Sequence, residues 1–170
     1  MKKIAAVMFC FFLTACGFQL RGQAALPFET LYISFPVGNP IGTDLRRFVK
    51  AGTSTRIVED AKTAEATLEV ISAINERQIM SVSGGGRVRE FELRYRVSFR
   101  LIDAKGIELI PVNEISLRRI LPFTDAQVVA KEGEEAMLVR EMQSDAAAQI
   151  LRRLEAAKTA EGRALSMLIS

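Results

Sequence analysis

The sequence predicts an α+β domain in which two helices pack on one face of a four-stranded, mostly antiparallel sheet, in the order β-α-β-β-β-α. Three observations carry that expectation. Phe91, Leu93, Tyr95, Val97, Phe99 and Leu101 alternate strictly with Glu92, Arg94, Arg96, Ser98 and Arg100, as in a strand with one buried and one wet face. Turn chemistry flanks that strand, Ser83-Gly84-Gly85-Gly86 before it and Asp103-Ala104-Lys105-Gly106 after it, so three strands follow one another as hairpins. Ala136, Val139, Met142, Ala146 and Ile150 then step by three or four, a helical stripe able to cover the apolar sheet face.

The other elements fall into place around these. Leu31, Ile33 and Phe35 alternate with Tyr32 and Ser34 in a first strand closed by Pro36, and Val37-Gly38-Asn39-Pro40 is a turn. Thr43 is placed to cap a short helix with Leu45, Phe48 and Val49 on one face and Gly52 at its end. Arg56-Ile57-Val58 reads as a brief strand at most, outside the four counted, and Ala61 to Ala66 as a loop whose alanines could form a helical turn. The long strand from about Thr67 to Ser81 offers Leu68, Val70 and Ile74 to the core. The last strand, Leu109 to Leu121, is expected to be irregular around Pro111 and Asn113, because proline cannot donate to the ladder. The long helix should run from about Asp125 to Leu154, with Gly133 weakening its start by roughly 1 kcal/mol relative to alanine.

The N-terminus sets the compartment. Lys2 and Lys3 precede an apolar run from Ile4 to Leu13, which ends in Thr14 and Ala15 directly before Cys16. That is a signal peptide with a small-residue cleavage site, too short to span a bilayer, which needs about 20 residues. A cysteine just after the cut turns secretion into lipidation: residues 1–15 are expected to be removed and Cys16 to carry the acyl chains. Each buried CH₂ contributes roughly 0.8 kcal/mol, so several chains anchor the protein permanently. Gly17 stands where an aspartate would signal inner-membrane retention, pointing to the outer membrane, facing the periplasm. Residues 16–27 then form a lipidated tether, 28–155 a single domain, and 156–170 a flexible tail ending in Leu165-Ser166-Met167-Leu168-Ile169.

Composition excludes most chemistry. There is no histidine, and Cys10 leaves with the signal peptide, so the one remaining cysteine carries lipid. Ser-His-Asp and Cys-His catalysis, the common zinc sites and any disulfide are thereby ruled out. No catalytic residue, metal or cofactor is expected, and the chain reads as a non-enzyme. Without Lys2 and Lys3 the basic residues fall from 23 to 21 against 20 acidic ones, a formal +1, so any basic function must come from local clustering.

Three clusters qualify. The tip Ser83, Gly84, Gly85 and Gly86 lacks the Lys-Ser or Lys-Thr pair of a phosphate loop and reads either as a plain hairpin turn or as a loop that contacts a partner. Arg94, Arg96 and Arg100 share the wet face of one strand, with Arg87 and Arg89 near its start and Arg118 and Arg119 on the next strand. Their planar forks suit phosphate oxygens, although Glu90, Glu92, Glu108 and Glu114 could neutralise them. Lys131 lies near the start of the long helix, where backbone N–H groups favour anions, among Glu132, Glu134 and Glu135. The periplasm excludes nucleic acid as a partner.

Two stretches carry a family resemblance. Cys16-Gly17-Phe18-Gln19-Leu20-Arg21-Gly22 resembles the mature opening of the lipopolysaccharide-assembly lipoprotein LptE family. Glu90-Phe91-Glu92-Leu93 and its strand, Arg118 to Pro122, Ala130-Lys131, and Arg140-Glu141-Met142 onward to Leu154 resemble the family in order and spacing. The match is loose over Ala51 to Ala73 and absent after Leu154. The resemblance implies two helices on a four-stranded sheet, and an outer-membrane lipoprotein that plugs the β-barrel translocon LptD, assists its assembly and binds lipopolysaccharide. It places Lys131 at the family's Ala-Lys position as a lipid A contact, and Arg87, Arg89 and Lys131 are the candidates for binding headgroup phosphates or core sugar acids. The tip Ser83, Gly84, Gly85 and Gly86 and the wet face with Arg94 and Arg96 are then expected to meet the barrel wall. The family often has a basic residue at the tip, where this chain has glycines. The rival reading is a scaffold lipoprotein binding only protein.

Overall fold

The strictly alternating segment becomes the central strand of the sheet. The computed structural model describes residues 26–124 and 128–157, and the elements run β1 (Thr30–Ser34), α1 (Ile41–Gly52), β2 (Arg56–Val58), a 3₁₀ turn (Ala61–Thr63), β3 (Ala66–Val82), β4 (Val88–Asp103), β5 (Glu108–Pro122) and α2 (Val128–Glu155). The signal peptide, Cys16, most of the tether, Asp125 and the tail from 158 lie outside the described residues. The strand order is β2-β1-β3-β4-β5, a five-stranded mixed sheet. β1 is parallel to both β2 and β3, whereas β3, β4 and β5 form two successive antiparallel hairpins.

The count of four strands is thus corrected to five. Arg56–Val58 is too short for periodicity to identify, and pairing with Thr30–Tyr32 of β1 is what makes it a strand. Helix α1 is also started differently from expectation. Its first residue is Ile41, Thr43 lies inside it, and no side chain caps its N-cap residue Pro40. Asn39 takes that role from outside: its Oδ1 accepts from Ile41 N at 3.1 Å and its Nδ2 donates to Ala73 O at 3.1 Å, tying α1 to β3. Gly42 presses so closely on the Phe35 ring that a Cβ there would collide with it.

The core lies between the sheet and the two helices. Leu93, Tyr95, Val97, Phe99 and Leu101 of β4 are buried, facing Leu45 and Val49 of α1 and Met142, Ala146, Ala147, Ile150 and Leu154 of α2. Ala136, assigned to the same stripe, is exposed. It borders an open groove beside Asn75, beyond the level at which β1 ends. The expected irregularity of β5 is present: pairing steps from Phe99↔Asn113 to Leu101↔Ile110, and the interruption contains Pro111.

β3 departs most from expectation. Leu68 pairs with Leu101 and Val70 with Phe99, but Ile71 is a bulge residue, after which Ser72 pairs with Ser98 and Ala73 with Val97. One inserted residue reverses the faces. Ile74 is therefore opposite Arg96 on the outer face and 44% exposed, not in the core.

Tyr95 is buried in the core, and its hydroxyl has no hydrogen-bond partner among the described residues. Burial, with the Asp44 carboxylate adding to it, pushes its pKa from 10.0 to about 12. An unfolded phenol ionises near 10, so the stability linked to this group is complete below that pH and is lost as pH rises through 10 towards 12. Tyr95→Phe is expected to be neutral or stabilising by up to about 1 kcal/mol at neutral pH. Urea midpoints should then show its advantage over the native chain growing above about pH 10. A constant difference across that range would disprove the linkage.

Candidate functional site

The three hairpin strands continue well past β1, whose last pair with β3 is Ser34↔Glu69. At their far end β5 finishes at Pro122, and Phe123 N donates to Arg89 O at 2.7 Å. The Phe123 ring meets Phe91 edge-on, centroids 5.1 Å apart at 78°. Above this aromatic pair lies the first turn of α2, and between them a cleft of about 180 Å³ lined by Arg77, Phe91, Leu121, Phe123, Lys131, Glu132 and Glu135. Lys131 Nζ pairs with Glu134 Oε2 at 2.6 Å, its side chain only 17% exposed.

Phe123 also lines an adjoining open groove of about 810 Å³, with Arg87, Arg89, Ser81 and Ser83. The fold therefore brings Arg87, Arg89 and Lys131, separated by more than forty positions in the chain, to one end of the sheet around a shared ring. The hairpin tip closes the same end. Gly86 N donates to Ser83 O at 2.9 Å, Ser83 N to Arg87 O at 2.7 Å, and Gly86 takes φ +77, which glycine adopts freely. Gly84 faces open space and a Cβ at Gly85 would meet only Ser83 Oγ at an ordinary 4.0 Å, neither with a positive φ, so the turn itself does not require glycine at either position.

Arg94 and Arg96 are not part of this cluster. They lie on the outer, helix-free face, where Arg94 pairs with Glu92, Arg96 with Glu76 at 2.6 Å, and Arg100 with Glu69 at 2.6 Å. Arg118 approaches Glu92 at 3.9 Å on the same face. Arg119 is on the other face, bonded to Asp145 of α2 at 2.9 Å. Of the two readings the sequence offers for this row, phosphate forks or a face balanced by glutamates, the structure has the second: a ladder of ion pairs. Glu69 and Glu76 of β3 supply two of its carboxylates, beyond the four acidic residues anticipated.

Sequence reasoning passed over Arg77 and Phe123. Counted by alternation from Leu68 and Val70, Arg77 belongs on the outer face. The bulge at Ile71 moves it to the helix side, opposite Leu93, where its guanidinium lies 4.9 Å from the Phe91 centroid and donates to Glu135 at 2.8 Å. No local signal in the sequence announces that shift. Among the described residues no helix is long and apolar enough to cross a membrane.

Comparison with known proteins agrees with this architecture. Residues 28–154 match the family described as LptE, lipopolysaccharide-assembly. A Yersinia pestis protein named LPS-assembly lipoprotein LptE is 29% identical over 151 residues, covering 86% of this chain and 71% of the relative. The solution structure of an uncharacterized lipoprotein B from Nitrosomonas europaea is 52% identical, covers 82% of this chain and 91% of its own, and superposes with a TM-score of 0.73. The crystal structure of the rare lipoprotein B from Shewanella oneidensis is 27% identical, with coverage of 75% and 94% and a TM-score of 0.65. Matched from the first core residues to the end of α2, this chain belongs to the lipopolysaccharide-assembly LptE family.

Proposed function

We propose that this protein acts in lipopolysaccharide assembly as a non-catalytic lipoprotein, anchored through Cys16 in the outer membrane, that plugs an LptD-type barrel and binds lipopolysaccharide. Family membership supports the process. The observation that carries the binding role is the convergence of Lys131, Arg87 and Arg89 around Phe123. Phosphates of a lipid headgroup match such cations, and the rings beneath offer apolar surface to the rest of the molecule. Binding and positioning are the whole mechanism; no bond is made or broken.

The plug role rests on the outer face and the tip. A ladder of paired Arg and Glu is a polar surface suited to the polar lumen of a large barrel. Gly84 and Gly85 leave the tip without side chains, which favours close approach of another backbone. A photoreactive residue replacing Gly85, combined with a C-terminal affinity tag, is expected to capture a heat-modifiable adduct of barrel size from outer membranes. Recovery of the lipoprotein alone, or joined to a different partner, removes the plug reading.

A further inference from the structure

We propose that Arg77 is a phosphate-binding residue of the same cleft, restrained by Glu135 until an anionic lipid displaces that carboxylate. The inference rests on Lys131 being a phosphate contact, and adds to it a cation from the sheet side.

The strand and the helix each contribute one cation to this cleft, and each cation is paired with a carboxylate of α2: Lys131 with Glu134 at 2.6 Å, Arg77 with Glu135 at 2.8 Å. The Phe91 ring beneath the guanidinium, 4.9 Å to the centroid, limits its orientations without consuming its donors. Among the described residues one guanidinium nitrogen, Nη1, bonds to Glu135, which leaves several of the five N–H donors for a second acceptor. The pair is also open to exchange. Arg77 is 52% exposed, and ion pairs in contact with water are weak. A phosphate monoester carries more charge than a carboxylate and accepts a bidentate fork, so it competes well for the same group. Phe91, Leu121 and Phe123 form the apolar floor, which suits a phosphate carried on an amphipathic molecule better than a free ion. Until the lipid phosphate displaces them, the two glutamates hold both cations at the cleft and lower its attraction for unrelated anions.

This role separates from a structural one by the behaviour of Glu135. If the Arg77–Glu135 pair only braced α2 against the sheet, losing either partner would weaken binding alike. If Glu135 is a displaceable competitor, removing its charge strengthens binding.

The test uses the full-length lipoprotein in nonionic detergent micelles, titrated with bisphosphoryl lipid A and with lipid A stripped of both phosphates. Arg77→Gln is expected to weaken binding of the bisphosphoryl form by about tenfold. Arg77→Lys should recover part of that loss, and Glu135→Gln should tighten binding by about threefold. None of the three should change binding of the stripped lipid. Displacement by inorganic phosphate alone would identify the ion as the recognised group. Resistance to it, with phosphate-dependent binding retained, would assign the site to the lipid headgroup. Unchanged affinity in Arg77→Gln while Lys131→Ala binds weakly overturns the role of Arg77 and leaves the lysine standing. Weakened binding in Glu135→Gln overturns the displacement. No effect of either cation removes the reading of the whole cleft.

Discussion

Phe99→Ala is expected to lower stability by about 3–5 kcal/mol, the largest effect of any single truncation considered. Phe99 is fully buried in β4, paired with Val70 of β3 on one side and Asn113 of β5 on the other. The Arg153 guanidinium of α2 lies 5.7 Å from its ring centroid, so sheet and helix both close on the same side chain. Truncation loses the transfer free energy of the ring and leaves a cavity. The strand cannot collapse into that space, because both its edges are hydrogen-bonded to neighbours. Against a typical total of about 5–15 kcal/mol, such a loss leaves a marginal domain. Thermal unfolding followed by circular dichroism should show a drop of roughly 10–20 °C. Ser98→Ala, one residue away on the outer face, should change stability by less than about 0.5 kcal/mol. Similar melting of both variants would show that the central strand is not where the fold is anchored.

Lys131→Glu is expected to weaken lipid A binding by about tenfold or more, equivalent to ~1.4 kcal/mol or more, and to exceed the effect of Lys131→Ala. The alanine variant only removes an attraction. The glutamate variant adds a fourth carboxylate to Glu132, Glu134 and Glu135 at the end of the molecule proposed to bind the phosphates. Lys131 is largely covered, so its charge acts with less screening than a lysine extended into water. The gap between the two variants should narrow as salt rises and the Debye length falls from about 10 Å at 0.1 M towards about 3 Å at 1 M. Equal losses for alanine and glutamate, or none for either, would reject the electrostatic account of the cleft.

Both predictions draw on information distributed unevenly along the chain. The β4 residues behind the first were legible, because strict alternation and flanking turns are local properties. So were the hairpin order, the helix that covers them and the irregularity at Pro111. Lys131 was legible only as a cation near a helix start. Its relation to Arg89 depends on Phe123 closing against β4, a contact between segments more than thirty residues apart. Asn39 took the place expected of Thr43 for a similar reason: its side chain satisfies α1 and Ala73 of β3 at once, and that second partner is invisible from the helix sequence.

By itself the sequence determined the α+β class, the hairpin core, the family and the poverty of catalytic side chains, since each follows from residue type or short-range period. Tertiary structure decided the fifth strand, the face on which every β3 residue beyond Val70 projects, and which arginines are already paired. The physical reason is register. A strand's alternation has a period of two residues, so one bulge residue at Ile71 exchanges inside for outside from Ser72 to Ile79, until a second irregularity at Met80 shifts the register again. That exchange exposed Ile74 and carried Arg77 into the cleft beside Lys131.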